Sequence, residues 1–234
     1  MNRLERHMNK LNELLEEDTN QDEITLFNNK VKKQIMIENK KLNKKDSYLK
    51  DLGLKYGYGR YIHRGSNTIQ SGGDKAVHGY CNIYENHFKE LENKNINFLE
   101  IGIFQGRSLA MWNDYFKKGN IYGIDINTKE FNLFKKELKK MSGFKEKDVI
   151  VEQGDSRNDV LFKDIKFDII LDDGCHKIDS QMKTFNNYFP LLKKNGFYVI
   201  EDLRGKYHEK ILEDFMKDKN IVYYLENNLI ILQK

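Results

Sequence analysis

From residue 96 onward, short apolar runs with many β-branched residues alternate with longer stretches whose apolar positions recur every three or four residues. Ile96, Phe98, Leu99, Ile101 and Ile103 make the first run. It reads as a strand buried on both faces, the kind a parallel sheet uses. It breaks at Gly102 and Gly106, and a helical stretch, Ser108 to Phe116, follows. The same pattern predicts strands over 96–103, 121–126, 148–153, 167–172 and 197–202, and helices over 106–117, 129–141 and 178–194. A short helical piece follows Gly154-Asp155, and a helix over 206–218 leads to two last strands, 221–226 and 229–233. Alternating strand and helix predicts a parallel sheet with helices on both faces. The end departs from that rule. Asn227-Asn228 joins the last two strands with no helix between them. Both Asn residues tolerate positive φ, so a tight hairpin with an antiparallel last strand is expected.

Upstream the pattern changes. Leu4, Met8, Leu11 and Leu15 recur at helical spacing between Glu and Lys, which suits an amphipathic helix packing on the body or on a partner chain. Residues 28–47 are mostly polar, with a thin apolar line at Val31, Ile35 and Met36. Residues 51–73 hold six glycines among tyrosines, and glycine at that density reads as loop. Asp74-Lys-Ala-Val-His-Gly-Tyr80 leads into a helix over 81–91. With Lys75, His78 and Tyr80 on it, that loop is a lid or substrate wall. Three parts follow: a helical N-terminal arm, 1–50; a lid loop with its lead-in helix, 51–95; and an α/β domain, 96–234, built on a doubly wound, mostly parallel seven-stranded sheet with a C-terminal antiparallel hairpin. The arm's helix leaves a homo-oligomer open as one assembly, without fixing the oligomeric state, and catalysis is not expected in it.

Composition narrows the class. The 234 residues suffice for one sizeable core plus an extension. Charged residues are 32% of the chain, yet the net charge is only +4, with Lys interleaved among Asp and Glu. That is a solvated surface and not a nucleic-acid stripe. Two cysteines, Cys81 and Cys175, lie far apart without metal spacing, which fits a reducing compartment. No apolar run reaches membrane-spanning length and no signal-peptide core is present, so a soluble, cytoplasmic protein without membrane contact is expected.

The candidate chemistry sits at strand ends. Strand, glycine turn and helix bring backbone N–H groups up to a bound nucleotide, although the spacing is Gly-x-x-x-Gly and not that of dinucleotide folds. The second strand ends in Asp125, where a carboxylate can accept both hydroxyls of a ribose. Asp155 ends the third strand, Asp172-Asp173-Gly174-Cys175-His176 the fourth and Glu201-Asp202 the fifth. In an open parallel sheet these carboxyl ends share one crevice. Asp173, Glu201 and Asp202 would repel one another unless a divalent cation lay between them, and hard oxygen donors suit Mg²⁺, with Mn²⁺ or Ca²⁺ as alternatives. His176 is three residues past Asp173. An imidazole titrates near pH ~6.5, so it is the candidate general base. Cys175 has no paired base other than His176 and reads as a small buried residue.

The run Asn97 to Trp112 is similar to motif I of class I S-adenosylmethionine (SAM)-dependent methyltransferases. Asp74-Lys75 with His78-Gly-Tyr80, Asp172 to His176, and Tyr198-Val-Ile-Glu-Asp-Leu203 narrow the likeness. Together they resemble the metal-dependent sugar O-methyltransferases of macrolide biosynthesis, the mycinamicin methyltransferase type, over roughly residues 71–203. The resemblance implies a Rossmann-like methyltransferase fold with SAM and Mg²⁺ (or Mn²⁺) as cofactors. It implies that Glu100, Gly102, Gly106 and Ser108 lie against the methionine and ribose of SAM, that Asp125 takes the ribose hydroxyls and that Asp155 lies near the adenine. Lys75, Tyr80 and Asp172 complete that pocket. Asp173, Glu201 and Asp202 hold the metal, and His176 is the base. The acceptor implied is a sugar or nucleotide sugar, such as a glycan precursor. The family has Ser where this chain has Cys175, and its macrolide members carry a larger N-terminal domain, so macrolide specificity is not carried over.

Other readings differ in the acceptor or the class. A phosphorylated sugar, a phosphoramidate or a catechol would use the same site. A nicotinamide-dependent oxidoreductase lacks its glycine motif here and is disfavoured by the final hairpin. A non-catalytic, methyltransferase-like assembly module would not bind SAM.

Overall fold

In a computed structural model, residues 47–57, 59–62, 69–72, 75–141, 144, 149–219 and 221–234 are described. The expected helix through Leu4, Met8, Leu11 and Leu15 lies outside them. Strands β3 (Asn97–Ile101), β4 (Asn120–Asp125), β5 (Val149–Gln153), β6 (Phe167–Asp172), β7 (Leu192–Ile200), β8 (Tyr223–Glu226) and β9 (Leu229–Gln233) form one seven-stranded sheet in the order β5-β4-β3-β6-β7-β9-β8. The first five are mutually parallel, and β9 runs antiparallel to both β7 and β8. The Asn227-Asn228 turn takes the left-handed conformation at both positions, φ 49° and 63°, as a two-residue hairpin demands. Between these strands run α2 (Tyr80–Phe88), α3 (Arg107–Tyr115), α4 (Lys129–Leu138), α5 (Ile178–Tyr188) and α6 (Gly205–Asp218). The sheet is the doubly wound, Rossmann-like α/β architecture with its closing hairpin. Strand β7 starts at Leu192, five residues before the expected 197, so helix α5 ends at Tyr188 instead of continuing to 194. Pro190, in the short 3₁₀ turn Phe189–Leu191, has no N–H with which to prolong the helix.

The described parts of the glycine-rich stretch 51–73 are helix and strand, not loop. Its first part belongs to helix α1 (Tyr48–Gly57), and β1 (Gly59–Ile62) pairs antiparallel with β2 (Ile69–Gly72). Helix α1 therefore crosses the expected boundary at residue 50. Leu49, Leu52 and Tyr56 supply the apolar face at helical spacing, all of them buried. Gly53 serves packing: a Cβ there would meet Cys81 Sγ at 2.7 Å and Ala76 Cβ at 2.9 Å. Glycine was read as chain freedom where it permits close approach.

Successive residues of a strand face opposite sides, so Phe98 and Leu99 go to different layers. Leu99, Ile101, Ile170, Tyr198 and Ile200 pack with Phe185 and Tyr188 of α5 and Leu212 and Met216 of α6. On the other face the Trp112 ring meets Tyr84, Phe88, Phe98 and Phe116. Both layers hold the carboxyl ends of β3, β6 and β7 rigid. Among the described residues, no helix is long and apolar enough to cross a membrane.

Candidate active site

The sheet reverses its strand order between β3 and β6, the place where an open parallel sheet offers a ligand crevice beyond its carboxyl ends. Backbone hydrogen bonds extend the ladder past the strands. Gly102 N–H donates to Ile124 O (2.8 Å), Asp173 N–H to Ile101 O (2.8 Å) and Glu201 N–H to Asp172 O (3.0 Å). The acidic turns are therefore fixed to one another before any side chain is considered.

The glycine turn after β3 depends on its two glycines. Gly102 has φ 88°, and a Cβ would lie 2.2 Å from Asp173 O; Gly106 has φ 75°, and a Cβ would lie 2.4 Å from Phe131 Cδ2. Between them Phe104 also takes positive φ, 45°, which is costly for an aromatic residue and marks a turn held by its surroundings. Asp125 does that holding: Oδ2 accepts the N–H groups of Ile103 (3.0 Å) and Phe104 (2.9 Å), and Oδ1 accepts that of Asn127 (2.9 Å). Asp155 is engaged locally. Its two oxygens accept Arg157 Nε (2.7 Å) and Nη2 (2.6 Å), and this guanidinium holds the carboxyl below its usual range.

Beneath the turn lie buried acids. Glu100 Oε2 accepts the Ser108 hydroxyl at 2.8 Å, while Oε1 lies 3.3 Å from Lys75 Nζ. Burial pushes Glu100 up to about 7, with Lys75 opposing and Asp173 adding to the rise. Burial likewise raises Asp172 to about 7, against the Gly174 N–H that its Oδ1 accepts at 3.2 Å. Asp172 Oδ2 is buried without a hydrogen-bond partner among the described residues.

At the mouth, Asp173, His176 and Asp202 each offer one ligand atom, all within 4.8 Å of one another. His176 Nε2 is 3.6 Å from Asp202 Oδ2 and 4.0 Å from Asp173 Oδ1. Asp202 has φ 56°, a conformation that Asp tolerates better than most residues, and its Oδ1 accepts the Tyr80 hydroxyl at 2.7 Å. Glu201 stands apart from this trio. It is buried, its two oxygens accept Lys75 Nζ at 2.8 and 2.7 Å, and Oε1 also accepts the Tyr84 hydroxyl. Lys75 reaches Asp173 Oδ2 at 2.7 Å as well. Burial works against its charge, but Asp173, Glu201 and Glu100 outweigh burial and hold the ammonium well above the usual lysine range.

Several positions differ from the sequence reading. Lys75 is no part of a lid surface; it is only 2% exposed, although Val77 and His78 on the same loop are exposed. Cys175 is exposed, not buried: it follows Gly174 in the turn before α5, outside the strand and helix cores. Tyr84, Gln181 and His208 were not foreseen. His208 Nε2 donates to Gln181 Oε1 (2.7 Å), and Gln181 Nε2 donates to Glu201 O (3.0 Å). His208 Nδ1 accepts the Arg204 N–H (3.0 Å), so this relay grips the turn that carries Glu201 and Asp202. A Tyr one helical turn past Tyr80 was the only available signal for Tyr84; nothing local marks Gln181 or His208.

A family model described as a methyltransferase domain matches residues 92–229, more than half of the chain. The chain belongs to the methyltransferase domain family. It is 35% identical over 143 residues to 8-demethyl-8-(2-methoxy-alpha-L-rhamnosyl)-tetracenomycin-C 3'-O-methyltransferase of Streptomyces olivaceus, covering 56% of this chain and 33% of that protein. It is 34% identical over 145 residues to mycinamicin VI 2''-O-methyltransferase of Micromonospora griseorubida, again covering 56% and 33%. The matches thus span about a third of the length of these relatives. The fold is similar to that of MycE methyltransferase in complex with Mg, SAH and mycinamycin VI, with TM-score 0.57, 25% identity, and coverage of 81% of this chain and 54% of that one.

Proposed function

We propose that this methyltransferase-family chain is a SAM-dependent, Mg²⁺-assisted O-methyltransferase acting on a hydroxyl of a sugar or nucleotide-sugar acceptor. The carrying observation is the Asp173–His176–Asp202 cluster at the mouth of the crevice, fixed by backbone to the glycine turn. The donor set fits a hard divalent cation, since it offers two carboxylates on the accessible side. The pocket fits SAM as well. Glu100 and Asp172 put buried carboxyls under the turn, and Asp172 Oδ2 still lacks a donor among the described residues. Asp125, at the end of β4, suits a ribose diol.

SAM would supply an electrophilic methyl group, and a cation at Asp173 and Asp202 would supply Lewis acidity toward a vicinal diol. The chain's own part is positional. Asp173 and Asp202 orient the acceptor edge, Tyr80 steadies Asp202, and the glycine turn sets the donor's place. His176 Nε2 faces the cluster, where it would take the acceptor hydroxyl's proton as the oxygen–methyl bond formed and the sulfur–methyl bond broke, with S-adenosylhomocysteine as the leaving group. Glu201, expected as a third metal ligand, lies buried beside the cluster with Lys75 as its partner. The relatives' printed sugar O-methyltransferase names support the acceptor class.

Thermal unfolding with SAM, S-adenosylhomocysteine or NAD, each with Mg²⁺ or EDTA, tests the reading, because ligands that bind only the native state raise its stability. Stabilisation by the first two and a separate Mg²⁺ effect, followed by methyl transfer to a nucleotide sugar, is expected. Indifference to SAM under every metal condition would sink it.

A further inference from the structure

Asp202 stands in the left-handed region, φ 56°, although it is not glycine, and Gly205 in the same turn has φ 78°. A turn bent in this way keeps its shape only where its surroundings fix it. Successive peptide units supply the fixing, each held by a different element. The Glu201 carbonyl belongs to the peptide that sets Asp202 φ, and it accepts Gln181 Nε2 of α5 at 3.0 Å. The Leu203 N–H belongs to the peptide that sets Asp202 ψ, and it donates to Asn228 O of the hairpin turn at 3.0 Å. The Arg204 N–H donates to His208 Nδ1 of α6 at 3.0 Å. The first and third of these grips are joined, since His208 Nε2 donates to Gln181 Oε1 at 2.7 Å.

We propose that Gln181 and His208 are positioning residues: they form a neutral relay from α6 through α5 to the Glu201 carbonyl that holds Asp202 in place at the mouth of the site. The proposal rests on the reading of the Asp173–His176–Asp202 cluster as the seat of a cation and an acceptor, a cluster to which neither residue belongs. Gln181 and His208 are 1% and 4% exposed, so water does not compete for their bonds. An amide and a neutral imidazole each bring a donor and an acceptor, which gives the relay a direction. With Nδ1 accepting, the imidazole carries its proton on Nε2, and the Gln181 amide can face only one way. Burial, with Arg204 and His176, holds His208 below its ordinary range and so keeps the ring neutral. The relay adds no charge, and it therefore sets the turn without drawing a carboxylate away from a cation. It also closes the N-terminus of α6, where a side chain reaching back to the cap N–H does the work of a capping box. Without the relay the Glu201–Asp202 peptide could rotate, and Asp202 would be left to the Tyr80 hydroxyl and the Leu203 bond.

The test compares the full chain with Gln181→Leu, His208→Leu, their double variant and His208→Asn, which keeps an acceptor for the Arg204 N–H but is too short to reach Gln181. Mn²⁺ affinity is read from the electron paramagnetic resonance of the free ion, and SAM binding from the shift in thermal unfolding. The tautomer of His208 in wild type is read from the ¹⁵N resonances of its ring. Each leucine variant is expected to bind Mn²⁺ roughly tenfold more weakly, as when a group that orients a metal ligand is removed, while SAM still raises Tm. The double variant should bind no more weakly than the weaker single variant, because both residues belong to one relay. His208→Asn should weaken Mn²⁺ by about threefold, as one lost hydrogen bond does, and it decides the matter if the leucine variants fold poorly. Wild-type Mn²⁺ affinity in the variants, whatever their Tm, would reduce the relay to fold stability and overturn the proposal. Additive losses in the double variant, or a His208 proton on Nδ1, would overturn it as well. So would loss of the SAM-induced shift in step with Mn²⁺ affinity, since the damage would then reach beyond the turn. Failure of wild type to bind Mn²⁺ while SAM still stabilises it would instead overturn the metal reading, and the proposal with it.

Discussion

His176 turns Nε2 toward Asp202 and Asp173, while its Nδ1 is buried without a hydrogen-bond partner among the described residues. That geometry serves a base facing the acceptor oxygen, and it would also serve a metal ligand. The two roles separate in one variant. His176→Ala is expected to lower kcat about a hundredfold or more, in the range of general-base contributions, with SAM and Mn²⁺ affinities little changed. Loss of Mn²⁺ binding in step with kcat would make the imidazole a ligand. Gly102 is a harder constraint, since neither its φ of 88° nor the 2.2 Å approach to Asp173 O admits a side chain. Gly102→Ala should cost about 1–2 kcal/mol from the left-handed backbone alone, and should push the Asp173 turn outward. The expected result is lower Tm together with loss of the SAM-induced shift. A Gly102→Ala protein that SAM stabilises as well as it does wild type would show that the turn does not serve the cofactor. At this scale the sequence was most informative where chemistry is local. The acids at strand ends could be read directly, because strand periodicity places them. The pairing of Lys75 with Glu201 spans 126 positions and could not be, because only the folded sheet brings those residues together.

Among elements, the C-terminal hairpin does more than close the sheet. Asn227 Nδ2 donates to His78 O at 2.6 Å, and Asn228 O accepts the Leu203 N–H at 3.0 Å. One turn therefore holds both the loop that carries Lys75 and Tyr80 and the loop that carries Glu201 and Asp202. Asn227→Gly keeps the positive φ of 49° available while removing the amide clamp. A lost hydrogen bond of about 1 kcal/mol corresponds to roughly a fivefold effect. We expect Tm to fall by about 2–4 °C and the acceptor KM to rise by up to that factor; a variant with wild-type KM would mean that the loops hold their places at the site unaided. The hairpin itself was legible, since two consecutive Asn residues between β-branched runs have few other uses. Helix α1 was not. Its glycines imitate a loop in composition, and Gly53 is explained only by the Cys81 and Ala76 atoms that would meet its Cβ.

For the molecule as a whole, the pH dependence of stability follows from buried groups with opposite signs. Glu100 and Asp172, raised to about 7, bind protons in the native state that the unfolded chain has already released, so they favour the fold toward lower pH. His87 works the other way. It is buried on α2, with its ring 5.9 Å from Phe197 and 6.0 Å from Tyr224, and burial lowers it from 6.5 to about 4. Between those values the unfolded chain binds the extra proton, so stability rises with pH across the window. The contribution is fully present above pH 6.5 and is lost as pH falls through about 4. At about 1.4 kcal/mol per pH unit, this amounts to a term on the order of 3 kcal/mol. His208, also lowered by burial and by Arg204 and His176, acts in the same direction. Comparing wild type with His87→Leu cancels the other groups, since the residue lies away from the acidic crevice and packs among aromatic rings. Urea unfolding at pH 7 and pH 4 should show the variant losing less stability on acidification than wild type, by on the order of 3 kcal/mol. Equal losses would mean that His87 is protonated in the fold as readily as in the unfolded chain. The acid sensitivity of the molecule would then lie in the ammonium–carboxylate centre around Lys75.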